Sequence, residues 1–175
     1  LGTGSEQLQP CLDVSESGRL GLAWINRAEQ NAVYCAFSSN EGANFWQISP
    51  GDILKANGSG SQPANPSCAF THDSLSLVVA WDDLRNGVRR IRANKITGMN
   101  RSFSSDALVD DGGTNTAATN PSVRVCPADD PDKLTIGIAW ERSDGSDSDI
   151  MFDASSSGNS WGTDVQVNDD AQSPR

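Results

Sequence analysis

The sequence predicts an all-β protein made of three tandem copies of one unit, on three observations. A short stretch recurs as Leu20-Gly21-Leu22-Ala23-Trp24, Leu77-Val78-Val79-Ala80-Trp81 and Ile136-Gly137-Ile138-Ala139-Trp140. In an extended chain residues two apart share a side, so Leu20, Leu22 and Trp24 face one way and Gly21 and Ala23 the other. Both sides are apolar, one bulky and one small with Val78 the exception, which describes a strand covered on both faces by other sheets. The second observation is spacing. The tryptophans lie 81 − 24 = 57 and 140 − 81 = 59 residues apart, and Pro10, Pro66 and Pro121 precede the strands at intervals of 56 and 55. A fixed period of this length marks a repeat architecture. Third, helical periodicity is absent throughout, and the apolar runs are separated by turn-forming residues.

Composition narrows the function classes. The chain has 175 residues, enough for one core or for three small units that depend on each other. It is 36% hydrophobic with 16 Gly and 8 Pro, and no apolar run reaches the length of a membrane span. A net charge of −10 spread along the chain disfavours nucleic acid and anionic membrane surfaces as partners and favours solubility and an affinity for cations, and without a spanning apolar run no membrane insertion is expected. The first residue is Leu1 and no basic-plus-apolar leader follows, so the chain is expected to begin after processing or to be a piece of something longer. Cys11, Cys68 and Cys126 precede the repeated Trp by 13, 13 and 14 residues and so fall in equivalent strands, with Cys35 as the fourth cysteine. A disulfide set is one reading. Small buried hydrophobes is the preferred one, because equivalent strands of separate units rarely bring Cα atoms within disulfide reach.

Taken in order, the repeats run over residues 10–64, 65–119 and 120–173. Residues 1–9 carry no strand pattern. Unit one has Pro10 to Val14, the strand 20–24, a polar loop 25–31, a strand 32–37 and a short strand near 47–54. Unit two has Asn65-Pro66-Ser67-Cys68-Ala69-Phe70, the strand 75–81, a loop 82–87, Val88 to Asn94, and Phe103 to Val109. Unit three has Asn120 to Val125, the strand 134–140, a polar loop 141–148, Asp149 to Ala154, and Trp161 to Asn168. Four strands joined by short turns make a meander sheet. The segments 55–65 and 110–120 read as linkers. An immunoglobulin-like sandwich is disfavoured, since units of this length are too short and the matching second Cys is missing from two of them.

Ser38-x-Asn40-x-Gly42-x-x-Phe45 resembles the Asp-box of sialidases and related BNR-repeat proteins. A tight turn there needs side-chain oxygens to accept turn N–H groups, Gly to supply positive φ and an aromatic ring to seal the hairpin. Unit three carries a shortened version, Ser155 to Trp161, and unit two keeps only a Gly and Phe103. The Asn-Pro-Ser openings, the Ala-Trp strands, Trp81 to Gly87, Asp149 to Phe152 and Val165 to Asp170 look like blades of secreted sialidase-like β-propellers. The resemblance implies a four-stranded blade per repeat, with Asp-box turns away from the ligand and a ligand face built from the loop after the second strand and the linker between blades. Three blades fall short of a ring of four to eight. The expected partners are therefore further blades, from a symmetric second copy in a six-bladed ring or from the rest of a longer polypeptide.

The Tyr nucleophile, arginine triad and acid/base that the resemblance would imply for a sialidase are not recognisable. Tyr34 reads as a packed strand aromatic, His72 as a surface residue, and no catalytic residue is assigned. Arg27, Arg85 and Arg142 follow the Ala-Trp strands and could hold carboxylates or acidic glycans, or else pair with neighbours such as Asp83 and Glu141. Trp24, Trp81 and Trp140 could stack on sugars or lie in the core. Asp144, Asp147 and Asp149 cluster as in calcium loops but lack the closing Glu, so a solvated acidic turn competes with a Ca site, and no other cofactor is expected. Asn57 and Asn100 open glycosylation sequons. The expectation is a non-catalytic extracellular binding, adhesion or surface-assembly module directed to glycans. The alternatives are part of a glycoside hydrolase with catalytic residues outside this chain, or a purely structural subunit.

Overall fold

The computed structural model describes residues 6–27, 32–47, 62–85, 87–97, 102–103, 105–126 and 135–168. Among the described residues thirteen strands form three antiparallel sheets and there is no helix. The first sheet is β1 (Gln7–Val14), β2 (Leu20–Asn26), β3 (Ala32–Ser38) and β4 (Trp46–Gln47), in that order. The second is β5 (Pro63–Phe70), β6 (Ser76–Arg85), β7 (Val88–Thr97) and β8 (Ser102–Phe103), with β9 (Ala107–Leu108) also on β7. The third is β10 (Ala117–Cys126), β11 (Thr135–Ser143), β12 (Ser148–Ser155) and β13 (Val165–Gln166). These are three β-propeller blades, each a meander whose strand order follows the sequence.

The alternation of bulky and small faces sets how the blades stack. Leu77, Val79 and Trp81 of β6 pack against Ala23, Ile25, Val33 and Cys35 of the first blade. On the other side Val78 and Ala80 meet Ile136, Ile138 and Trp140 of β11. Each interface thus sets the bulky face of one blade on the smaller face of the blade before it. Leu77 to Trp81 are all 0% exposed, which makes β6 the doubly covered strand that the sequence pattern describes. Close approach is real at Gly21, where an added Cβ would lie 2.8 Å from Leu77 Cδ1 and 2.9 Å from Phe70 Cε2. Phe70 and Phe37 complete this seam with ring centroids 6.2 Å apart. The two outermost faces keep exposed apolar side chains: Leu12 and Val14 on the first blade, Ile150, Phe152, Val165 and Val167 on the third.

Several boundaries differ from the sequence expectation, and those at the starts of the blades share one physical reason. Each first strand starts before its proline, at Gln7, Pro63 and Ala117. A register shift interrupts the ladder at residues 8–11, 64–67 and 119–122. The residue before each proline takes positive φ: Gln9 +53°, Asn65 +50°, Asn120 +56°. A bulge with a left-handed residue lets the chain carry a proline, which has no N–H to donate, without leaving the sheet. So part of each expected linker is strand. At the other edge β6 runs through Arg85 and β11 through Ser143, so residues 82–85 of the loop expected at 82–87 and half of the one expected at 141–148 are ladder. The last strand expected over 103–109 is split into β8 and β9. The fourth strand expected near 47–54 is β4, and residues 48–54 lie outside the described residues, as do Asn57 and Asn100.

Candidate functional site

The first strands of the three sheets lie side by side, β1 against β5 and β5 against β10. Their bulges therefore bring the residues before the three prolines to one end of the molecule, together with the last residues of β6 and β11. A hydrogen-bonded arc results. Gln9 Nε2 donates to Asn65 Oδ1 at 2.8 Å, and Asn65 N donates back to Gln9 Oε1 at 3.0 Å. Asn65 Nδ2 donates to Asp82 Oδ2 at 2.8 Å, and the same oxygen accepts Asn120 N at 3.1 Å. Asn120 Nδ2 then donates to Glu141 Oε2 at 3.1 Å. Left-handed non-glycine residues at three equivalent positions store strain that the surrounding bonds hold in place, a pattern typical of binding and active sites.

Burial separates the roles within the arc. Asp82 is fully buried and also takes an Arg89 Nη1 ion pair, so its charge is matched from both sides. Gln9, Asn120 and Glu141 are exposed and Asn65 half-buried, which leaves three amides and one carboxylate facing outward. On the outer face of the first blade Trp24 Nε1 donates to Gln7 Oε1 at 2.5 Å, and its ring stacks on Tyr34 at 5.8 Å between centroids. Primary amides present both donors and acceptors, so the arc can bind a polyhydroxylated ligand.

The arrangement of the three blades has counterparts among solved structures. Glycoside hydrolase propellers share this fold. The α-L-arabinofuranosidase of Fusarium graminearum, solved with an iminosugar inhibitor, matches at TM-score 0.60 and 13% identity over 94% of this chain and 50% of that one. A thermostable family-43 glycoside hydrolase matches at TM-score 0.56 and 10% identity, over 93% of this chain and 54% of that one. An N-acetylgalactosamine deacetylase from F. plautii, in complex with blood group B trisaccharide, matches at TM-score 0.57 and 12% identity, over 95% and 53%. The chain spans about half the length of each of these proteins. No family model and no curated protein matches it.

The residues singled out from sequence divide sharply. Trp81 and Trp140 are 0% and 2% exposed, so neither offers a ring to a sugar; the expectation of stacking holds no room at these two, whereas Trp24 keeps a partly open face. Arg85 is also buried, with Nε 2.6 Å from Asp83 and Nη2 2.8 Å from Asp106, because β6 continues through it instead of turning outward. A residue locked in this way cannot grip a ligand carboxylate. Asp83 is spent on the same pair and on the N–H of Gln62 at 2.9 Å. Arg27 lies just past β2, exposed, 3.4 Å from Glu6. Arg142 pairs with Asp149 at 3.6 Å and not with Glu141, which belongs to the arc. What the sequence reading missed was Gln9, Asn65 and Asn120. Their mark was available: a side-chain amide directly before each repeated proline.

The remaining candidates take ordinary local roles. Ser38 Oγ accepts Gly42 N at 3.0 Å and Asn40 Oδ1 accepts Asn44 N at 2.9 Å, with Gly42 at φ +87° and Phe45 exposed beside it, in the turn between β3 and β4. Asp144 Oδ1 accepts Ser146 N, Ser146 Oγ and Asp147 N, and the first two of these bonds hold its carboxyl down to about 2. Asp149 is engaged by Arg142, Gln166 and Asn168. Among the described residues no group of three or more ligating side chains is arranged to hold a metal ion, Asp144, Asp147 and Asp149 included. At the opposite end of the inner strands, a cavity of about 200 Å³ is lined by Asp13, Glu16, Phe70, Thr71, His72 and Arg124. There His72 Nδ1 lies 3.3 Å from Glu16.

Proposed function

We propose that this chain is the non-catalytic, glycan-binding portion of a larger propeller, working outside the cell in adhesion or surface assembly. The observation that carries the reading is the arc of Gln9, Asn65, Asn120 and Glu141, whose amides and carboxylate match sugar hydroxyls. The solved structures of similar fold support it, since they include proteins crystallised with a trisaccharide and an iminosugar. The sialidase-like, BNR-type assignment belongs to the same proposal, as do further blades on the apolar outer faces, from a second copy or from the rest of a longer polypeptide. Among the described residues no helix is long and apolar enough to cross a membrane.

A hydrolase reading has one observation in its favour: Asn120 touches two carboxylates, Asp82 and Glu141. Asp82 is poorly suited to move a proton, because both its oxygens are already held by Arg89, Asn65 and Asn120. A glycan array tests the binding reading, with loss of signal expected for the Asn65→Ala, Asn120→Ala double variant; an array without hits would sink it. Turnover of a chromogenic glycoside that is abolished by Glu141→Gln would establish the hydrolase instead. A scaffold with no ligand predicts neither result.

A further inference from the structure

The first and second blades meet along β1 and β5, and three side-chain contacts cross that seam in order. Gln9 and Asn65 exchange two hydrogen bonds, Cys11 Sγ lies 3.0 Å from Cys68 Sγ, and Asp13 Oδ2 accepts Phe70 N at 2.7 Å. The sulfurs are thus flanked on both sides by bonds that fix the register of the two strands. Sequence reasoning preferred buried thiols to a disulfide because equivalent strands of separate units rarely bring Cα atoms within disulfide reach; β1 and β5 are such strands, and here they do approach. Within those strands the two residues sit one register position apart: Cys11 pairs with Ala23 and faces the second blade, whereas Cys68 pairs with Val79 and faces the first. At the next seam the positions of Cys11 and Cys68 are held by Ser67 and Val123, and there Ser67 Oγ accepts Val123 N at 3.1 Å. The first seam has a pair of sulfurs where the second has a hydrogen bond.

We propose that Cys11 and Cys68 form a disulfide that covalently joins the first two blades when the protein matures in an oxidising compartment. This goes beyond the glycan reading and does not rest on it. The oxidant is a disulfide, either glutathione disulfide or the active-site disulfide of an oxidoreductase. The Cys11 thiolate attacks one sulfur of that disulfide, forming a mixed disulfide and releasing one thiolate. The Cys68 thiolate then attacks the Cys11 sulfur, closing the Cys11–Cys68 bond and releasing the second thiolate. Two protein thiols lose two electrons and two protons, and the oxidant leaves as two thiols. Cys11 is the entry point on geometry, being part-exposed while Cys68 is buried. The hydrogen bond with Cys68 also holds the Cys11 thiol below its ordinary range and, with burial, pushes the Cys68 thiol up. Cys35 is buried on β3 with its thiol pushed up by burial, and stays reduced.

The test is a peptide map of the full chain after exposure to glutathione disulfide and alkylation of remaining thiols. Trypsin leaves Cys11 in residues 1–19 and Cys68 in residues 56–85. The expected product is these two peptides joined, lighter than their sum by two hydrogen atoms, with Cys35 and Cys126 alkylated. Because the bond closes a loop of 68 − 11 = 57 residues, reduction should lower the melting temperature by about 10 °C. The Cys35→Ser, Cys126→Ser variant should keep that reductant-sensitive shift, and Cys11→Ser should lose it. Alkylation of both Cys11 and Cys68 after oxidation, a linkage to Cys35 or Cys126, or equal melting of the oxidised and reduced wild-type chain would each overturn the proposal.

Discussion

Replacing Gly21 by alanine tests how tightly the blades are pressed together. The new Cβ would sit 2.8 Å from Leu77 Cδ1, 2.9 Å from Phe70 Cε2 and 3.0 Å from Phe70 Cζ, about an ångström inside ordinary contact. Both neighbours are side-chain ends, but Leu77 is fully buried and Phe70 nearly so, and neither has space to withdraw. Overpacking of this kind costs about 1–3 kcal/mol. Against it stands the relief of glycine's entropy loss in a strand, about 0.5–1 kcal/mol. The net expectation is a loss of about 1–2 kcal/mol, and at roughly 2–4 °C per kcal/mol a melting temperature lower by about 2–8 °C. Gly137 holds the same place in the third blade, yet its added Cβ would meet Phe152, whose exposed ring can swing aside. Gly113 has nothing within 4 Å and serves as the control. Thermal unfolding of the three alanine variants should rank Gly21→Ala well below the other two. Equal or greater stability for Gly21→Ala would refute the stacking of a bulky face on a small one.

Three further expectations follow from the buried groups. Asp82→Asn leaves Arg89 without its buried partner; loss of one member of such a pair costs about 3–5 kcal/mol, and the partial exposure of Arg89 places the effect at the lower end, readable as a reduced urea midpoint. Trp81→Ala, emptying a fully buried site, costs about 3–5 kcal/mol and should unfold much of the chain, whereas Trp24→Ala, on the partly exposed outer face of the first blade, should lower the melting temperature by only a few degrees. Burial, and then the like charge of Asp111, raise the Asp153 carboxyl above its usual range despite N–H bonds from Ala154 and Gly162. A raised carboxyl favours the folded state below its unfolded pKa, and that contribution is lost as pH rises through the folded value. Asp153→Asn should therefore raise the melting temperature at pH 7, with the gain fading toward pH 4; a gain that grows on acidification would contradict the assignment.

How much of this was legible in the sequence depends on what each feature requires. The strands carrying Trp24, Trp81 and Trp140 were visible because alternation of bulky and small residues is a local property that the blade stacking demands. The arc was not, because it depends on the bulges before Pro10, Pro66 and Pro121, and a residue preceding proline ordinarily argues for an extended linker rather than a left-handed position inside a sheet. The same bulges hid the true starts of β1, β5 and β10. Arg85 and Asp83 looked like loop residues since charged pairs after an apolar run usually mark the surface; here β6 continues and Asp106 arrives from a different part of the blade to bury them. The meeting of Cys11 and Cys68 needs the inter-blade register, which no single unit contains.

Hydrogen–deuterium exchange of the chain with and without a glycan selected on the array tests the central claim most directly. Protection confined to residues 7–9, 63–65, 117–120 and 141–143 is the predicted result. Protection centred on Asp13, Glu16, His72 and Arg124, around the cavity at the opposite end, would contradict it.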